Sequence, residues 1–139
     1  MEAPSVVVRQ AGAIPVRDGQ VCIVSSRSGK RWVVPKGWLE AGKTAGEVAL
    51  QEAWEEAGVT GTLRPQPAGT YLYQKDGRTF HVTVFVLEVT ESLDSWPERG
   101  LRERCWLTPS EAMSRIEDVG LREILRVVAG CHTGEVQVV

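Results

Sequence analysis

Between Thr44 and Leu63 the chain has no lysine or arginine, yet Glu52, Glu55 and Glu56 stand close together there. Local rules make this segment a helix. Thr44 followed by Glu47 is a capping box, and Ala45, Val48, Ala49, Leu50, Gln51, Ala53 and Ala57 are favourable or tolerated helix residues. Gly58 is a natural stop, because glycine enters the left-handed region without a Cβ clash. Val48, Ala49, Ala53 and Ala57 then form a narrow stripe of mostly small side chains, suited to close packing on a sheet. Glu52 shares a helix face with Glu55 and Glu56, three and four residues on.

Acids gathered on one face repel unless a cation lies among them, and carboxylate oxygen is the ligand that hard divalent cations prefer. The plainer interpretation is a solvated acidic surface, but such surfaces normally interleave lysine or arginine. The absence of both weakens it.

The residues upstream extend the pattern. Val33-Val34-Pro35-Lys36-Gly37 leads through Trp38-Leu39-Glu40-Ala41-Gly42 into the helix. Residues 37–59 resemble the signature box of the Nudix hydrolases, a loop–helix–loop ending in Arg-Glu-x-x-Glu-Glu-x-Gly-hydrophobic. Gly37, Glu52, Glu55, Glu56, Gly58 and Val59 fall at the family spacings. Two positions depart: Lys43 replaces the first glutamate of the box, and Gln51 replaces the arginine before the glutamate cluster. Both departures bear on rate and metal affinity more than on fold or reaction class.

Outside the box, three stretches look like the diphosphoinositol polyphosphate phosphohydrolases, which also cleave diadenosine polyphosphates. They are Arg9-Gln10-Ala11-Gly12-Ala13, Ser25-Ser26-Arg27 with Arg31-Trp32-Val33, and residues 96–106. The resemblance implies a Nudix-type α/β/α sandwich with a mixed central sheet. It also implies Mg²⁺ or Mn²⁺ held by Glu52, Glu55 and Glu56, and hydrolysis of a phosphoanhydride by metal-activated water. Arg9, Ser26, Arg27 and Arg104 become phosphate contacts by the same resemblance.

Arginine suits polyphosphate because its planar fork grips two oxygens at once. Arg31, Lys75, Arg78 and Arg102 also lie on expected strands or loops, and for any single one a solvent-facing role competes. Lys36 is better placed, directly before Gly37, where a missing side chain lets a phosphate approach. Trp38 reads equally as a pocket wall or as core. Glu98, Glu103 and Glu111 stay open as proton acceptors alongside the box acids. His81 falls in a strand pattern where packing explains it, and no nucleophile elbow or Walker loop is present.

A chain of 139 residues with 42% hydrophobic content is expected to form one domain over 1–139, with residues 131–139 as a flexible tail. A net charge of −2 argues against nucleic-acid partners. No apolar run reaches the ~18 residues of a membrane span, and no secretion signal is visible. Cys22, Cys105 and Cys131 have no pairing or zinc spacing, which points to reduced thiols in the cytoplasm. The expected partner is a small-molecule polyphosphate, and the expected state a monomer or homodimer.

Strands are expected over residues 6–16 and 20–25 around an Asp18-Gly19 turn, then at 31–34, 59–64, 69–74 and 79–90. Thr108-Pro109-Ser110-Glu111 starts a second helix, and residues 121–129 form a third. A Nudix-fold sensor that binds polyphosphate without cutting it, and an acidic-helix interaction domain, are the competing functional interpretations.

Overall fold

Asp18 and Gly19 both have positive φ, at 51° and 75°, as a tight hairpin turn requires. They join β1 (Val6–Arg17) to β2 (Gln20–Ser25) in a computed structural model that describes residues 6–132. The remaining strands are β3 (Trp32–Val33), β4 (Lys36–Trp38), β5 (Val59–Leu63), β6 (Gly69–Lys75), β7 (Arg78–Ser92) and β8 (Arg104–Leu107). The helices are α1 (Ala45–Ala57), α2 (Pro109–Arg115) and α3 (Val119–His132). Of the tail, Cys131 and His132 belong to α3, and residues 133–139 lie outside the described part.

The sheet is mixed. β1 runs parallel to β7 from Val6↔Arg78 to Val16↔Glu88, and the other pairings are antiparallel. Period-two alternation sends neighbouring side chains to opposite layers. Ala11 and Ala13 of β1, with Phe85 and Leu87 of β7, meet Val48, Ala49, Ala53 and Ala57 of α1. Ile14 and Val16, with Val82, Val84 and Val86, meet Ala112 of α2 and Leu121, Leu125 and Val128 of α3. This is the expected α/β/α sandwich, and each fully buried aliphatic side chain in it contributes about 1.5–3 kcal/mol.

The small stripe on α1 lets the helix approach the alanines of β1 closely. Thr44 and Glu47 form the expected capping box, and Gly58 ends the helix at φ 65°. No basic residue lies in the last turn of α1. Arg104 supplies that charge from β8, donating to Ala57 O at 3.0 Å and Leu93 O at 2.8 Å.

β4 was not expected, since residues 36–38 read as loop. It pairs with β1 through Gln10↔Trp38, Ala11↔Gly37 and Gly12↔Lys36. β1 therefore pairs with β2 near its end and with β4 near its start, and the strands separate between. Gly12 permits the closeness: a Cβ there would stand 2.7 Å from Pro35 O and 2.9 Å from Lys36 Cβ. A cleft opens where the pairing divides.

Candidate active site

Within α1 the three glutamates meet different fates. Glu56 is 5% exposed, buried at the end of the helix. Its Oε1 accepts the Lys36 main-chain N–H at 3.3 Å, and its Oε2 lies 3.5 Å from Arg102 Nη2. Burial pushes the Glu56 carboxyl up to about 8, although Arg102 pulls the other way. Glu52 is also raised by burial, opposed by the hydrogen bond it accepts from Glu56. The two acids are close enough to share a proton.

Glu55 is turned elsewhere. Its Oε1 accepts from Gln51 Nε2 at 2.8 Å, and Gln51 Oε1 accepts from Lys43 Nζ. Lys43 also pairs with Glu40 at 2.9 Å. Glu52 and Glu56 come together, and Glu55 accepts from Gln51 while its charge still acts on Glu52. Among the described residues no three acidic, histidine or cysteine side chains are gathered as a ready cage.

Two carboxylates nonetheless fit a magnesium-type ion, which is commonly held by one or two carboxylates and completed by substrate phosphate. A like-charged pair needing a proton between its members is a donor set that a cation relieves. Gly37 of β4 supports the fit from the other side. A Cβ at that position would stand 2.3 Å from Glu52 Cδ, so only glycine lets Glu52 lie against β4.

Arg102 is the residue the sequence did not single out. Its guanidinium reaches Glu98 Oε1 at 2.8 Å and Ser25 O at 3.0 Å as well as Glu56. Its side chain is 10% exposed. The Glu98 main-chain N–H in turn donates to Glu55 O at 2.9 Å. Arg102 thus ties the 98–103 segment to the acidic end of α1.

Beside Glu56, the divided strand pairing leaves a cavity of about 160 Å³ whose lining includes Ser26, Arg27, Arg31, Lys36, Lys75 and Arg102. Five cations face one buried acid there. Lys36 is pushed down to about 8, chiefly by burial and partly offset by Glu56, and its Nζ lies 5.3 Å from the Tyr73 ring centroid. Tyr73 donates to Gln10 Oε1 at 2.8 Å, fixing that wall. Ser26 Oγ accepts from the Arg31 N–H at 3.2 Å, shaping the turn that carries Arg27 and Arg31.

Other sequence candidates fall outside this cavity. Arg104 is occupied by the carbonyls at the end of α1, with its guanidinium 4.1 Å from the Trp96 ring centroid. Arg9 is an exposed side chain of β1, on the opposite face from Gln10. Trp38 is 54% exposed and meets Phe80 edge-on at 6.2 Å, so it is neither core nor a wall of this cavity. Glu111 closes the α2 capping box and is not among the residues lining this cavity.

The NUDIX domain family model matches residues 7–128, nearly the whole described fold. The chain belongs to the Nudix hydrolase family.

Among Nudix relatives, it is 41% identical over 121 residues to Nudix hydrolase 12, mitochondrial, of Arabidopsis thaliana, covering 78% of this chain and 60% of that protein. It is 36% identical to human diphosphoinositol polyphosphate phosphohydrolase 3-beta, covering 73% of this chain and 62% of the relative. The chain thus spans less than two thirds of the length of either relative. The Nudix fold is shared with a C. elegans Ap4A hydrolase at TM-score 0.72 and 20% identity, over 92% of this chain and 99% of that one. Several relatives are named mitochondrial, so a cytoplasmic setting does not follow from family membership. Among the described residues no helix is long and apolar enough to cross a membrane.

Proposed function

We propose that this Nudix domain is a Mg²⁺- or Mn²⁺-dependent hydrolase that cuts a phosphoanhydride bond. Its substrate would be a nucleoside polyphosphate, a diadenosine polyphosphate or a diphosphoinositol polyphosphate. The observation that carries this reading is buried Glu56, paired with half-buried Glu52 and lining a cavity together with five cations. A purely structural helix gains nothing from burying an acid beside a second one.

Glu52 and Glu56 would hold the ion, which when bound neutralises phosphate charge and lowers the pKa of the attacking water. Arg27, Arg31, Lys36 and Arg102 would bind and orient the phosphate chain. Water adds through its oxygen to one phosphorus as the P–O–P bond breaks. Its proton passes to a carboxylate of the cluster, and the departing phosphate leaves as the anion. Gly37 keeps Glu52 against β4, so the acid pair is organised before substrate arrives.

The test is phosphate release from a panel of phosphoanhydrides at matched Mg²⁺ and Mn²⁺, for wild type, Glu52→Gln and Glu56→Gln. Turnover should fall by more than the ~10–100-fold that loss of a supporting partner costs. Near-normal turnover in both variants rejects the assignment. The sensor reading draws support from the hold of Gln51 on Glu55. It predicts tight polyphosphate binding with no product in any condition. An interaction surface is disfavoured because Glu56 is buried rather than displayed.

A further inference from the structure

A helix leaves its last four carbonyls without partners of its own. In α1 the Trp54 carbonyl accepts the Gly58 N–H at 3.0 Å, and the next three turn to one outside segment, residues 93–104. Glu55 O accepts the Glu98 N–H at 2.9 Å, and Glu56 O accepts the Trp96 indole N–H at 3.1 Å. Ala57 O accepts from the Arg104 guanidinium at 3.0 Å. The Leu93 N–H adds a bond to Gly58 O at 2.8 Å, which fixes where the segment sets out. Gly58 alone would cap an ordinary helix.

Helix ends fray, and here the end at risk carries two of the box acids, Glu55 and Glu56. Glu56 is held twice. Trp96 takes its carbonyl, and Arg102, further along the same segment, stands 3.5 Å from its carboxylate. Turns inside the segment link the two holds. The Leu101 and Arg102 N–H groups donate to Glu98 O at 2.9 and 3.0 Å, and the Arg99 N–H to Trp96 O at 3.2 Å. Trp96 is itself fixed. Its ring packs on Gly58, where a Cβ would stand 2.6 Å from ring carbon Cδ2, and the Arg104 guanidinium lies 4.1 Å from the ring centroid.

We propose that Trp96 is a positioning residue for the ion-holding acid. Through its one N–H donor it fixes the Glu56 main chain, and so sets where the Glu56 carboxylate stands beside Glu52. Trp96 touches neither ion nor substrate in this scheme and acts only through Glu56. The proposal rests on the hydrolase reading for what Glu56 does, and on the indole bond for how Glu56 is held. A ring that served only as packing would depend on its area, and its nitrogen would be incidental. The two roles rank variants in opposite orders. Phenylalanine keeps more of the apolar ring and loses the donor. Histidine gives up area but returns the donor, since each five-membered ring carries a nitrogen at its ε position.

Calorimetry with Mn²⁺ alone, on the full chain as wild type, Trp96→Phe and Trp96→His, reads the metal site without turnover. kcat and KM for the best substrate of the phosphoanhydride panel, at sub-saturating Mg²⁺, read the reaction. Melting temperatures without metal establish that each chain is folded. Trp96→Phe should bind Mn²⁺ about tenfold more weakly, the lower end of what loss of a supporting partner costs, with kcat reduced and KM little changed. Trp96→His should recover most of that affinity although it melts below the phenylalanine variant. Wild-type affinity in Trp96→Phe, or a histidine variant that binds no better than it, overturns the proposal. So does a wild type that binds no Mn²⁺. Where one variant does not fold the other decides: a loss of about tenfold upholds the proposal in Trp96→Phe and overturns it in Trp96→His, and wild-type affinity does the reverse. A wild type that binds Mn²⁺ but cuts no member of the panel sinks the hydrolase reading alone, and the order of Mn²⁺ affinities still settles the role of Trp96.

Discussion

The Lys43 ammonium donates to the side-chain oxygen of Gln51, so the two positions at which this chain departs from the family box touch each other. Gln51 passes the contact on to Glu55 at 2.8 Å. Two substitutions that look independent along the chain form one linked arrangement in space. Charge that an arginine would bring at position 51 comes from position 43 instead, through a neutral amide.

Double-mutant analysis of that pair should therefore be non-additive. Gln51→Arg alone brings a second cation against Lys43, and Lys43→Glu alone leaves Gln51 without its donor. Together they restore an opposite-charge pair, so the double variant should depart from the sum of the two single effects. Mg²⁺-dependent kcat/KM measured over the four proteins checks it. Strict additivity would separate the two positions after all.

Arg102 is the cation whose loss should hurt the fold most. Arg102→Ala leaves Glu98 without its ion-pair partner and takes the guanidinium from buried Glu56, and breaking such a buried pair costs about 3–5 kcal/mol. Arg102→Lys keeps the charge but not the three-way reach to Glu56, Glu98 and Ser25, so it should restore only part. Urea unfolding with and without Mg²⁺ reads both. An alanine variant as stable as wild type would show that the guanidinium is dispensable.

Gly37→Ala should separate stability from turnover. The new Cβ meets the far end of the flexible Glu52 side chain at 2.3 Å, which can move aside without disturbing β4. Displacing a reactive group by about 1 Å can cost ~10²-fold in rate. The expected result is a near-native melting temperature with turnover down by about that factor. Unimpaired turnover would mean that Glu52 need not lie against β4.

Cys22 provides a pH test away from the site. Burial pushes its thiol from 9.0 up to about 12. The folded chain keeps that proton where the unfolded chain releases it, so this thiol costs no stability below about pH 9 and lowers stability progressively from there toward pH 12. Cys22→Ala should flatten that part of the profile, whatever its cavity costs at neutral pH. Disulfide-exchange labelling at pH 9 in a Cys105→Ser, Cys131→Ser background should leave folded Cys22 unmodified. Rapid labelling would contradict its burial.

What the sequence made legible was what neighbouring residues decide. The Thr44–Glu47 box and Gly58 bound α1 by contacts within a turn, and Asp18-Gly19 sets its hairpin through its own dihedrals. β4 and β8 were missed because each is short and depends on a distant partner strand, β1 and β2 respectively. Lys36-Gly37-Trp38 has no alternation long enough to announce a strand. The different surroundings of the three box acids were not legible, since Gln51 and Lys43 reach Glu55 through side-chain geometry. Arg102 was one cation among many until the chain brought Ser25, Glu56 and Glu98 around it. Arg104 looked like a phosphate ligand for the same reason: a sequence shows the charge and not what already occupies it.

Arg104 reaching over to the end of α1 carries one more implication. The acidic helix owns no counter-ion in its final turn and borrows each one from segments that precede or follow it. Anions and their neutralising partners are thus encoded in separate stretches of the gene. Selection can retune the charge around the helix by editing the lending loops, while the helix itself stays letter for letter the same.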